Sequence, residues 1–281
     1  MNLEPRDPKI FIKSRFGRRG IYWLPNLFTL AALFSGFYAI VQAMNERFEY
    51  AAIGIFAAMV LDGLDGRIAR LTRTQSDFGA ELDSLSDMVS FGVAPALVVY
   101  TWALRDFAFS KTLPVLGPWL STKLGWIAAF IYTACAALRL ARFNTNIDVA
   151  DKRYFQGLPS PAAACLLAGL VWALNEWQVK GNDVKWLAWS LTVFAGLTMV
   201  SDLKFYSGKD INLRKSISFP AVVGIAMGFV ALFAVFSTLP ELLFTAFVFY
   251  ALSGYVIWVW TKIKDRRGPP DQPPAQPPAT A

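Results

Sequence analysis

Histidine is absent from this chain of 281 residues. That removes Ser-His and Cys-His nucleophiles, phosphohistidine chemistry and the commonest proton shuttle near neutral pH. Any proton transfer falls to Asp, Glu, Lys, Tyr or water. Cysteine is scarce too: Cys135 and Cys165 each lie inside an apolar stretch, without the spacing of a zinc site or a disulfide framework. They read as small packing residues. Charge is sparse, at 17% of residues against 55% hydrophobic, and mean hydropathy is +0.41. Such a balance describes one polytopic membrane domain rather than a soluble one. The net charge is +7, yet no basic patch interleaved with aromatics lies in a soluble stretch, so nucleic acid is not the partner.

What is present is a series of apolar runs, each near the roughly 20 residues needed to cross a bilayer. They predict an all-α bundle of about eight transmembrane helices, near 21–43, 50–71, 82–103, 123–143, 159–177, 184–201, 217–238 and 240–261. Residues 1–20, with six Lys and Arg among Ile10, Phe11, Ile12 and Phe16, read as a basic amphipathic segment on the membrane surface. No small-residue cleavage site makes it a removable signal. The membrane domain then covers 21–263, and residues 264–281 form a proline-rich tail expected to be disordered. If the eight helices alternate from a cytoplasmic N-terminus, 21 of the 27 Lys and Arg fall on the cytoplasmic side and 6 outside. This is the positive-inside bias, and it places both termini and the turn after the second helix in the cytoplasm.

That turn carries the densest chemistry in the chain. Its pattern is Asp62-x2-Asp65-Gly66-x2-Ala69-Arg70-x8-Gly79-x3-Asp83-x3-Asp87. Residues three or four apart share a helix face, so Asp62 and Asp65 project from one helix and Asp83 and Asp87 from the next. Four carboxylates at the end of a helix pair repel one another and are costly to desolvate. Solvated loop acids would show neither helical spacing nor continuity with apolar runs. A hard divalent cation such as Mg2+ or Mn2+ is the partner that suits them. Gly66 and Gly79, lacking side chains, leave room for a ligand to approach the backbone. Arg70, one turn beyond Gly66, presents a fork suited to a diphosphate. Close helix packing and an interfacial anchor are the plain readings of these three residues.

At all eight of its fixed positions this pattern resembles the signature of the CDP-alcohol phosphotransferase family, over about a tenth of the chain. The resemblance implies a six-helix catalytic core, here with two further C-terminal helices. It implies Asp62, Asp65, Asp83 and Asp87 as ligands of two divalent cations, with Asp87 as the general base. It further implies that Asp62, Gly66, Arg70, Ser76 and Gly79 bind the CDP portion of the donor, and that the protein is a homodimer in membrane lipid.

Three other stretches, 90–96 (SFGVAPA), 139–144 (RLARFN) and 157–164 (GLPSPAAA), resemble the branch of that family that makes phosphatidylserine. The expected substrates are then CDP-diacylglycerol and L-serine. A serine pocket needs a cation for the carboxylate, and Arg139 and Arg142, three apart, supply one, with Asn144 as a polar contact. These residues equally suit a lipid phosphate or a topology anchor, and Lys204, Lys209 and Arg214 are weaker phosphate candidates. Glycerol 3-phosphate, an inositol phosphate or choline are the alternative acceptors. A cation transporter is the rival from a different class, but its acids would sit near the bilayer midplane in repeated halves.

Overall fold

Seven helices and one two-stranded ribbon form among the described residues. The computed structural model describes residues 8–72, 74, 76–105, 123–145, 154–206 and 238–266, with side chains from Pro25 to Ile263 except Tyr154 and Tyr206. The helices are α1 (Pro8–Met44), α2 (Phe48–Thr72), α3 (Asp77–Leu104), α4 (Leu124–Thr145), α5 (Ser160–Glu176), α6 (Lys185–Val200) and α7 (Leu239–Arg266). Strand β1 (Tyr154–Gln156) pairs antiparallel with β2 (Lys204–Tyr206), Phe155 opposite Phe205. The fold is therefore the expected all-α bundle.

Four helical stretches, Pro25–Met44, Asp77–Leu104, Leu124–Thr145 and Leu239–Ile263, are long and apolar enough to cross a bilayer. The second helix has the length, at 25 residues, but carries Asp62, Asp65, Arg67 and Arg70 in its last turns. The α5 and α6 helices are shorter, at 17 and 16 residues. The protein is an integral membrane protein. Two expected boundaries move: α1 is continuous from Pro8, so the basic segment runs directly into the first span, and α7 continues to Arg266, three residues into the expected tail. The expected span at 217–238 lies outside the described residues, as do Lys209, Arg214 and the tail beyond Arg266.

Small residues let the helices approach closely, the usual device where lipid offers no hydrophobic drive to pack. Along the α1–α3 seam, Ser86 Oγ donates to the Thr29 carbonyl and Ser90 Oγ to the Ala32 carbonyl, each at 3.1 Å. One turn further on, a Cβ on Gly36 would lie only 2.6 Å from the Ser90 Cα. On the other side of α1, a Cβ on Gly54 of α2 would lie 2.9 Å from the Ser35 carbonyl oxygen. The first three helices are thus packed closely from the acidic turn inward along the bundle. Fully buried Ala163, Leu166, Leu167 and Leu170 of α5 form the centre of the core.

The chain alternates between the two ends of the bundle. Asn144, at the end of α4, donates to Ser84 of α3 at 3.0 Å, which puts the α4 terminus at the acidic end. At the opposite end, the Trp177 indole N–H donates to Glu241 at 2.7 Å and joins the end of α5 to the start of α7. Tyr255, late in α7, shares a 2.7 Å hydroxyl bond with Thr198 beside the ribbon, so α7 returns to the acidic end. Gly157 makes the entry to α5 possible: its φ is +73°, and a Cβ there would lie 2.0 Å from the Met199 carbonyl oxygen.

Candidate active site

Helix geometry brings three of the four acids together. One carboxylate oxygen from each of Asp62, Asp83 and Asp87 lies within 4.8 Å of the other two. Asp62 comes from the end of α2 and the other two from the first turns of α3. One oxygen of Asp83 and one of Asp87 are buried with no hydrogen-bond partner. Buried carboxylate oxygens left without a donor and crowded by like charge are strongly unfavourable by themselves. A hard cation between them satisfies both conditions at once, so these residues fit a divalent metal site.

The fourth acid is held differently. Asp65 is buried, 5% exposed, and accepts a 2.7 Å hydrogen bond from the Thr29 hydroxyl of α1. It faces a cleft of about 230 Å³ between α1, α2 and α3, which Asp83 also lines. All four residues expected to bind the nucleotide besides Asp62 line this same cleft: Gly66, Arg70, Ser76 and Gly79. Around the position of a Cβ on Gly66 no atom of the described residues beyond its own stretch of helix lies within 4 Å, so that glycine faces open space instead of a packed neighbour. Gly79 differs, since a Cβ there would meet Asn26 Oδ1 and Ser76 Oγ at 3.2 Å. Ser76 is the N-cap of α3, its hydroxyl accepting from the Gly79 amide at 3.1 Å. Arg70 is exposed and makes no ion pair among the described residues. The cleft therefore joins a wall of carboxylates suited to a cation to a guanidinium that makes no ion pair among the described residues, a match for a diphosphate with bound metal.

The acceptor candidates separate. Arg139 turns inward: its guanidinium donates to Ser160 Oγ at 2.7 Å, its Nε is buried without a partner, and its charge acts on Asp87. Arg142 turns to α6, where it pairs with Asp202 and donates to the Val200 carbonyl at 3.4 Å. Its charge is already matched within the chain. Asn144 is engaged by Ser84. Lys204 sits in β2, exposed.

Sequence reasoning missed Asn26 and Thr29, which line the cleft from α1. The signal was available: two polar residues three apart open an otherwise apolar run directly after Pro25. It also missed Ser160, the partner of Arg139, which sits inside the stretch singled out for its resemblance.

Known proteins match this sequence across most of the chain. A family model for CDP-alcohol phosphatidyltransferases covers residues 22–200, from α1 to the end of α6. The chain is 31% identical over 244 residues to the CDP-diacylglycerol–serine O-phosphatidyltransferase of Helicobacter pylori, covering 87% of this chain and 94% of that one. It is 40% identical over 151 residues to the protein of that name from Methanocaldococcus jannaschii, covering 54% and 61%. The Saccharomyces cerevisiae protein of that name is 34% identical over 163 residues, covering 53% of each. With six of its eight signature residues lining one cleft, Asp62 and Asp87 gathered beside Asp83, and a family match over more than half its length, this chain belongs to the CDP-alcohol phosphatidyltransferase family.

Proposed function

We propose that the chain is a phosphatidylserine synthase, which transfers the phosphatidyl group of CDP-diacylglycerol to the hydroxyl of L-serine and releases CMP. The observation that carries this reading is the cleft itself. It sets metal-suited carboxylates against Arg70, which has no ion pair among the described residues, in a chain similar nearly end to end to an H. pylori enzyme named for serine transfer.

In this mechanism Asp62, Asp65, Asp83 and Asp87 hold two divalent ions, Mg2+ or Mn2+. When bound, the ions supply charge neutralisation at the diphosphate and acidify the attacking hydroxyl. Gly66 admits the nucleotide against the α2 backbone, and Arg70 grips the diphosphate. Ser76 and Gly79 close the other side of the cleft. Asp87 accepts the proton of the serine hydroxyl. The serine oxygen then bonds to the phosphorus bearing diacylglycerol, while the bond to CMP breaks and CMP departs with its electron pair. Arg139, with a free Nε beside Asp87, receives the serine carboxylate; Arg142, neutralised by Asp202, plays the lesser part, and Asn144 helps hold α4 to α3. The positive-inside count turns the cleft to the cytoplasm, where CDP-linked donors and serine are available. We place the enzyme in the cytoplasmic membrane as a homodimer, its lipid substrate reaching the cleft from the bilayer.

The test is metal-dependent turnover. Purified protein given CDP-diacylglycerol, serine and Mn2+ or Mg2+ is expected to release CMP. Chelation, or Asp87→Asn, is expected to lower the rate at least about a hundredfold. Turnover that persists in either case contradicts the proposed site.

A further inference from the structure

The α3 helix is not uniform. It is α-helical through Asp87, turns π-helical over Met88–Val93, and resumes as α over Ala94–Val99. Within the turn the Ala94 amide bonds to the Val89 carbonyl, five residues back. Pro95 follows, and it has no amide to offer the Ser90 carbonyl in the π register or the Phe91 carbonyl in the α register that resumes there. Such a carbonyl left bare inside a membrane is costly. Here the hydroxyl of Tyr132, from α4, donates to the Phe91 oxygen at 3.0 Å. Thr133 donates to the next carbonyl, that of Gly92, at 3.3 Å.

These bonds lie directly between the acids and the rest of the bundle. Tyr132 and Phe91 are both 0% exposed. Tyr132, Ala136 and Arg139 follow one face of α4 at intervals of four and three. Ala136 meets α3 at Gly92, where a Cβ would lie 3.3 Å from its own. The charge of Arg139 acts on Asp87, the residue immediately before the π turn. Among the described residues, the side-chain hydrogen bonds from α4 to α3 are those of Tyr132, Thr133 and Asn144, and of these donors Tyr132 alone is fully buried.

We propose that Tyr132 is a positioning residue for the acidic site: its hydroxyl replaces the amide that Pro95 lacks, and holds the π turn that sets where Asp87 projects. Without this bond the turn relaxes, Asp87 shifts from Asp62 and Asp83, and the carboxylates grip a cation less well. The role rests on the metal-dependent reading above, but it concerns cation affinity rather than the identity of the acceptor.

The experiment is a Mn2+ titration of the full-length protein in detergent, read twice: by the thermal midpoint without substrate, and by serine-dependent CMP release. Tyr132→Phe is expected to raise the half-saturating Mn2+ concentration about tenfold in both readouts, the scale of losing a group that orients a ligand. Pro95→Ala in the same chain restores an amide able to reach Phe91, and is expected to recover most of that loss relative to Pro95→Ala alone. A packing defect would not be repaired by a backbone amide. Equal Mn2+ affinity in wild type and Tyr132→Phe overturns the positioning role and leaves the transferase reading standing. So does an affinity loss that Pro95→Ala fails to repair. A wild-type protein indifferent to Mn2+ in both readouts overturns both readings. If Tyr132→Phe does not fold, the double variant decides: folded and Mn2+-binding supports the role, unfolded overturns it.

Discussion

At the scale of single residues, the site separates groups that hold the fold from groups held ready for a ligand. Gly66 is the sharpest case. A methyl group added there meets no atom of the described residues beyond its own stretch of helix within 4 Å, and alanine favours a helix over glycine by about 1 kcal/mol. Gly66→Ala is therefore expected to leave the thermal midpoint unchanged or raise it, while increasing KM for CDP-diacylglycerol about tenfold. A lowered midpoint with unchanged KM would make Gly66 a packing residue. The two arginines of α4 part in the same way. Arg139→Lys keeps the charge but loses the fork, and is expected to raise KM for serine about tenfold. Arg142→Gln breaks a pair whose Asp202 side chain is 83% exposed, which costs about 1 kcal/mol or less and moves serine KM much less. Steady-state kinetics beside thermal melts separate the two.

At the scale of elements, the catalytic turn works because three helices approach closely enough to share it. The α1–α3 seam depends on Gly36, where a Cβ would lie 2.6 Å from backbone that has no rotamer to yield. Gly36→Ala is expected to push the seam apart and destabilise the protein by about 1–3 kcal/mol, seen as a lower thermal midpoint and a weaker response to metal. An unchanged midpoint would show that the seam is looser than its geometry. What could be read from the sequence follows from range. The acids, Gly66, Arg70 and Gly79 lie within one helical pair, where spacing alone dictates a shared face. The bond from Thr29 to Asp65 spans 36 residues, that from Tyr132 to Phe91 spans 41, and that from Arg142 to Asp202 spans 60. No local period encodes those partners. For that reason Arg139 and Arg142, three apart on one helix, look alike in sequence and yet turn to different helices. The same limit applies to α1, whose polar Asn26 and Thr29 gain meaning only when α2 and α3 pack beside them.

At the scale of the whole molecule, alternation of the helices gathers every group proposed to act at one end of the bundle. The α2–α3 turn, the end of α4, the start of α5 and the β1–β2 ribbon meet there, while Trp177 and Glu241 tie the opposite end. This polarity favours an enzyme working at one membrane face over a transporter, whose acids would line a path through the midplane. The central claim is that serine is the alcohol this site accepts. The most direct measurement is CMP release from CDP-diacylglycerol and Mn2+ with serine, glycerol 3-phosphate, an inositol phosphate or choline offered in turn. The account predicts turnover with serine alone, lost in Asp87→Asn. Turnover with another alcohol and none with serine would keep the metal-binding cleft and contradict the assignment of Arg139 to a serine carboxylate.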